Sequence, residues 1–289
     1  MDAVRRIERT LSQALAGAGR PGAPPGLGRA MHHAVFPRGA RIRPRLCLAV
    51  ASACGEDAPG AAEAAAAAIE LLHCASLAHD DLPCFDDADR RRGRMTVHRA
   101  FGEQLAVLAG DALIVLAFQT LAEGAATVPA RLGPLALVVA HAVGMPGGIA
   151  AGQAWECEPE IDLAVYQRAK TGSLFAAATM AGAVASGAAG APWRAVGERI
   201  GEAYQVADDI RDVVGSAAEL GKPVQQDAAH GRPNAVQALG LDGAIARLLR
   251  LAREAVEAVP RCPGEAALRG LILSEARRLL PAGMATQAA

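Results

Sequence analysis

Aromatic side chains are scarce in this 289-residue chain, where Phe, Trp and Tyr together make up 3%. Long β-branched runs are also missing, and with them the usual material of a sheet core. Alanine takes their place, recurring with larger apolar residues at helical spacing across residues 61–78 and 104–121. These absences predict an all-α protein. Charge of one sign is lacking too: 29 Lys and Arg stand against 30 Asp and Glu, so no basic face is expected to hold a nucleic acid. The six cysteines are scattered with no C-x-x-C, which argues against a zinc site or a disulfide framework. They read as reduced thiols, which makes a cytoplasmic protein the expectation.

The first residues, Met1 to Arg9, carry charges where an export signal needs an apolar run. Residues 171–192 are uncharged over roughly the length of a membrane span, but small residues dominate them and a buried helix is expected; no stable membrane insertion is predicted. Gly/Pro-rich breaks at residues 17–26, 54–60, 144–148, 187–192 and 260–264 are short enough to join helices, and none resembles an interdomain linker. A single domain over residues 1–289 is the simplest organisation.

Two acidic clusters stand out against this background: Asp80-Asp81-Leu82-Pro83-Cys84-Phe85-Asp86 and Asp208-Asp209-Ile210-Arg211-Asp212. Carboxylates are costly to bring together unless a cation neutralises them, and hard divalent ions that accept oxygen ligands also bind phosphate. Two facing clusters therefore point to a diphosphate held by Mg²⁺. Pro83 cannot continue the helix before it, so Asp80 and Asp81 fall at a helix C-terminus, where the dipole disfavours anions and a cation is needed in compensation. Asp208 and Asp212, four residues apart, share one helix face; Asp209 is turned about 100° away and reads as the spare. Arg90-Arg91-Arg92-Gly93-Arg94 follows the first cluster and Lys222 and Arg232 the second, with Lys170-Thr171 between them and Arg41-Ile42-Arg43-Pro44 upstream. Such residues suit phosphate oxygens.

The segment from His73 through Asp86 with Arg91-Arg92-Gly93, and Tyr204 through Asp212 with Leu220-Gly221-Lys222-Pro223, resemble the two aspartate-rich motifs of the trans-isoprenyl diphosphate synthases. Lys170-Thr171-Gly172, Phe101-Gly102-Glu103 and Leu108-Ala109-Gly110-Asp111 are similar to that family in order and spacing. The resemblance spans nearly the whole chain and is strongest to the geranylgeranyl-forming branch of purple phototrophic bacteria, which feeds carotenoid and bacteriochlorophyll synthesis.

The resemblance implies a single-domain helical bundle with a central active-site cavity, usually paired as a homodimer. It implies Mg²⁺, about three ions per site, on Asp80, Asp81, Asp86, Asp208 and Asp212. Arg91, Lys170 and Lys222 would contact an allylic diphosphate, and Arg43, His73 and Arg92 isopentenyl diphosphate. Asp80, Asp86, Asp208, Lys170, Thr171 and Gln205 are the implied catalytic set, with Thr171 and Gln205 facing the allylic cation. The implied reaction is a head-to-tail (1′-4) condensation, with the departing diphosphate as base. Two positions depart from the family pattern: Ala40 stands where a Lys is usual, with Arg38 replacing a Gly nearby, and Arg232 replaces a Lys. Gly152-Gln153 with Glu156 is similar to a family pattern behind the site and is assigned a structural role.

Ser76 and Ala75 lie four and five residues before Asp80, about one helical turn below the metal site. A growing prenyl tail must pass there. Relatives that stop at fifteen carbons place an aromatic ring at the fifth position; Ala75 cannot block, so a product longer than fifteen carbons is expected. The four residues between Asp81 and Asp86 resemble the spacing of bacterial relatives that stop at fifteen or twenty carbons, which makes twenty the expected length. Phe118 and Phe175 are the bulky candidates for the pocket floor, with ordinary core burial as the competing reading. The alternatives are a farnesyl (fifteen-carbon) synthase or a noncatalytic regulatory subunit, the latter favoured only by Ala40 and Arg38. A terpene cyclase is disfavoured by the second Asp cluster, and a membrane-embedded prenyltransferase by the expectation of no genuine spans.

Overall fold

A computed structural model describes residues 2–36, 39–160, 162–214 and 234–280. The described residues are all-α apart from a two-strand hairpin, β1 (Arg90–Arg91) paired antiparallel with β2 (Arg94–Met95). In chain order the helices are α1 (Ala3–Ala16), α2 (Pro25–Val35), α3 (Ile42–Ala53), α4 (Pro59–Asp80), α5 (Val97–Phe101), α6 (Glu103–Gly124) and α7 (Leu132–Val143). They continue with α8 (Ile149–Ala154), α9 (Leu163–Gln167), α10 (Ser173–Ala185), α11 (Arg194–Val214), α12 (Ala235–Glu257) and α13 (Glu265–Leu279). Local chemistry sets several starts. Pro25 and Pro59 occupy the first turns of α2 and α4, where the missing N–H costs nothing. Asp2, Asp162 and Asn234 accept hydrogen bonds from the first-turn amides of α1, α9 and α12.

α4 is the central element, packed against α3, α6 and α10. Its Ala-rich stretch is buried on every side, with Ala65, Ala66, Ala67 and Ala68 all fully covered. Small side chains let the surrounding helices approach closely, so the core gains contact density in place of the missing aromatic volume. A second apolar cluster joins α11, α12 and α13 through Val206, Ile210, Leu248, Leu251 and Ala276.

Arg41 departs from its expected surroundings. It adopts a left-handed backbone (φ 49°) before α3, and its side chain, 1% exposed, donates to Glu70 (2.6 Å), Glu8 (2.9 Å) and the Val35 carbonyl (2.9 Å). It is a buried ionic tie between α1 and α4, and its grouping with the phosphate-binding residues is corrected accordingly.

The buried helix expected within residues 171–192 is present as α10, and the helices of membrane-spanning length lie elsewhere. Among the described residues, α4 and α6 are each long and apolar enough to cross a membrane, whereas residues 171–192 contain only the 13-residue, largely buried α10. In α4 this character serves the core, since 78% of its most apolar stretch is buried inside the protein. α6 instead leaves Val107, Leu108 and Val115 on the surface.

Candidate active site

α4 ends at Asp80, with Asp81 as its C-cap. The following loop folds back onto that end: the amides of Asp86 and Ala88 donate to the carbonyls of Asp80 (3.0 Å) and Asp81 (3.2 Å). This return brings the third carboxylate of the cluster beside the first two. The hairpin then presents Arg91 to all three. Its Nε and Nη2 donate to Asp81 Oδ1 (2.7 and 2.6 Å), and Nη2 lies 3.7 Å from Asp80 and 4.0 Å from Asp86. Burial pulls the Arg91 guanidinium down, but the three carboxylates outweigh it and hold it above its ordinary value. Burial pushes the Asp80 and Asp81 carboxyls up, opposed chiefly by Lys170 at Asp80 and by Arg91 at Asp81. Asp81 is thus engaged in orienting Arg91, with its side chain 4% exposed, while Asp80 and Asp86 are more open at 14% and 25%.

The helix leading from α9 to α10 widens into a π-turn at Arg168–Gly172, the kind of local irregularity that re-aims side chains at functional sites. Two consecutive residues of this turn reach opposite walls. Lys170 Nζ donates to Asp80 Oδ1 (3.2 Å) and Glu156 Oε1 (2.5 Å), and Thr171 Oγ1 donates to Gln205 Oε1 (3.1 Å) on α11. Burial lowers the Lys170 ammonium, and Asp80, Tyr166 and Glu156 together raise it further, so it is held charged. Gln205 in turn donates to Asp209 Oδ1 (3.0 Å), and Asp209 Oδ2 accepts the Ala235 amide at the start of α12 (2.8 Å). The geometry agrees with Asp209 as the residue turned away from the shared face. Asp208 remains 36% exposed, 3.6 Å from Arg211 Nη2, and Asp212 is buried.

The third wall comes from α3 and α4. Arg43 Nη1 lies 3.3 Å from His73 Nε2, and its guanidinium lies 4.4 Å above the Phe175 ring and 5.7 Å from the Tyr204 ring. Burial, then the positive fields of Arg43 and Arg92, hold the His73 imidazole well below its ordinary value, so it is neutral and an acceptor for Arg43. Arg92 has a left-handed backbone (φ 53°), and its guanidinium lies so close to Gly39 that a Cβ there would sit 2.5 Å from Cζ. Ala40 is exposed. Phe175 is fully buried as the platform under Arg43, which is the core reading of that residue; Phe118 is half-buried.

Ala75 is 1% exposed, and Ser76 Oγ donates to the His73 carbonyl (2.9 Å). A cavity lined in part by Cys74, Leu77, Ala78, Asp81, Arg91 and Arg92 measures about 50 Å³, and neither Ala75 nor Ser76 lines it. Lys222, Arg232 and Arg38 lie outside the described residues. Glu156, assigned only a structural role from sequence, sits directly on Lys170, because the π-turn swings that lysine toward it.

Among the described residues, no three His, Cys, Asp or Glu side chains converge tightly enough to enclose a metal ion. The donor chemistry nevertheless fits a hard cation: Asp80, Asp86 and Asp208 are partly open, all-oxygen ligands, and Asp80 already draws two cationic side chains.

The polyprenyl synthetase family model matches residues 24–262. The chain is 52% identical over 283 residues to a geranylgeranyl diphosphate synthase of Cereibacter sphaeroides, covering 98% of each chain. It is 48% identical over 276 residues to the enzyme of the same name from Rhodobacter capsulatus, covering 96% of each. A solved Helicobacter pylori geranyltransferase, complexed with magnesium and isoprenyl diphosphate, superimposes with a TM-score of 0.78 at 30% identity, covering 94% of this chain and 95% of that one. With both aspartate-rich motifs, the bundle and near-complete coverage in agreement, the chain belongs to the polyprenyl synthetase family.

Proposed function

We propose that the protein is a prenyltransferase that condenses isopentenyl diphosphate head to tail with allylic diphosphates and releases geranylgeranyl diphosphate. The observation that carries this reading is the π-turn, whose adjacent Lys170 and Thr171 connect the first aspartate motif to the helix of the second. A diphosphate seated there meets both acidic walls and two fixed cations. Asp80, Asp86 and Asp208, with Asp212 behind them, would hold Mg²⁺. When bound, Mg²⁺ supplies positive charge that stabilises the leaving diphosphate.

Arg91 and Lys170 orient the allylic diphosphate and bring preorganised positive charge to the oxygen on which negative charge develops. On the third wall, Arg43, His73 and Arg92 form a cationic seat for isopentenyl diphosphate, with neutral His73 accepting from Arg43. The Thr171 hydroxyl and the Gln205 amide oxygen place lone pairs between the motifs, where they favour the allylic cation without a nucleophile strong enough to capture it. Carbon–oxygen cleavage is followed by attack of the isopentenyl double bond, and the departed diphosphate takes the proton. Fully buried Phe175 and Ala75 keep water from the cation.

Ala75 and Ser76, about one helical turn below Asp80, would flank the path of the tail, and at Ala75 there is no ring to stop it at fifteen carbons. Six free cysteines support a reducing, cytoplasmic setting. The apolar stripe of Val107, Leu108 and Val115 on α6 supports a homodimer paired through that helix.

The test is product analysis: purified protein, Mg²⁺, labelled isopentenyl diphosphate and five-, ten- or fifteen-carbon allylic primers. A dominant twenty-carbon alcohol after dephosphorylation is expected. A dominant fifteen-carbon product overturns the assigned length, and no elongation from any primer overturns the reaction.

A further inference from the structure

We infer that Glu156 is a positioning residue for the reaction, the fixed anchor from which Lys170 reaches the allylic diphosphate. This rests on the prenyl-transfer reading above and extends it to a residue outside both aspartate motifs.

Lys170 is held at two levels. Its backbone is seated against α8, where Gly152 approaches so closely that a Cβ would lie 2.5 Å from the Lys170 amide nitrogen. Its Nζ is shared between Asp80 Oδ1 at 3.2 Å and Glu156 Oε1 at 2.5 Å, the shorter contact being to the glutamate. Glu156 is itself fixed from two further directions. Tyr166 OH donates to Oε1 (2.6 Å) from α9, and Gln153 Nε2 donates to Oε2 (2.9 Å) from α8. The carboxylate is therefore tied to α8 and α9, the two helices that precede the π-turn and pack against it, and is 18% exposed.

The two carboxylates on Lys170 differ in what they do when substrate arrives. Asp80 belongs to the diphosphate site, so its contact with Nζ gives way to phosphate oxygens and cation. Glu156 lies off that site with its own hydrogen-bond partners, so it stays. The ammonium then swings about one constant contact, and a long side chain that would otherwise lose much rotamer freedom on binding has already lost it.

Kinetics of Glu156→Gln and Tyr166→Phe test this. The first keeps the shape and removes the charge; the second removes one donor that fixes the carboxylate. For Glu156→Gln the KM for the allylic diphosphate should rise about tenfold while the KM for isopentenyl diphosphate changes by less than about twofold. Tyr166→Phe should shift the allylic KM in the same direction by less, and Glu156→Asp should recover part of the loss. Thermal denaturation monitors folding of each variant. An unchanged allylic KM in both variants, or equal rises in both substrates' KM, overturns the inference, as does a loss that only tracks a smaller folded fraction. Should the wild-type protein elongate no primer, the prenyl-transfer reading fails by itself. The anchor is then judged by calorimetric binding of inorganic diphosphate with Mg²⁺, which Glu156→Gln must weaken if the anchor is real and leave unchanged if it is not.

Discussion

The two aspartate-rich segments share a composition and differ in construction. In the first, three carboxylates crowd the end of α4 and are clamped by cations from elsewhere: Arg91 from the hairpin and Lys170 from the π-turn. In the second, one carboxylate is given to the framework. Asp209 accepts from Gln205 and from the first amide of α12, leaving Asp208 to the cleft beside Arg211. The first segment is thus an electrostatic device whose charges exceed what the fold needs, and the second is partly a structural joint. Repeated acidic residues need not carry repeated roles, and hydrogen-bond partners separate them.

Mutation can break this contrast. Asp80→Asn should lower turnover by about 10³-fold or more, because it removes a ligand to the leaving group at the point of charge development, with little loss of folding stability. Steady-state turnover alongside chemical denaturation checks both halves. Asp209→Ala should do the reverse, costing about 1–3 kcal/mol of stability through the unpaired Ala235 amide, while turnover per folded molecule falls by no more than about tenfold. A denaturation midpoint unchanged from wild type would remove the joint from the second segment. Arg91→Lys retains a charge but loses the fork that spans Asp81 and Asp80, and a loss of about tenfold in turnover over allylic KM is expected. The smallest effect on rate is expected at Ala75→Phe, which should shift the main product from twenty to fifteen carbons. Because Ala75 is fully packed, overpacking should also cost about 1–3 kcal/mol. Unchanged product length would place the tail on another path.

Much of this was legible in the sequence, for reasons that can be named. Apolar periodicity and Pro83 put Asp80 and Asp81 at a helix end, and helical rotation set Asp209 apart from Asp208; both follow from local geometry, and the helices obey it. Arg41 misled because its partners, Glu8 and Glu70, come from helices remote in sequence, and only the packed bundle shows that the charge is neutralised inside. The apolar length of α4 was underweighted for a similar reason: an alanine-rich helix can be as apolar as a membrane span when its hydropathy serves tight packing inside the bundle. The contact between Glu156 and Lys170 was not legible because a regular helix does not predict where Lys170 points. The π-turn is a departure from the helical repeat that no periodicity announces. The family resemblance reached further than the residue patterns did, since it alone implied the condensation and the length of its product.

The claim beneath all of this is that the two segments act as one metal-dependent diphosphate site. Calorimetric titration of the wild-type protein with inorganic diphosphate, with Mg²⁺ and then with a chelator, tests it most directly. Binding that needs Mg²⁺, and that either Asp80→Asn or Asp208→Asn abolishes, is the expected result. Binding of equal strength without the metal, or insensitive to one of the two substitutions, would contradict it.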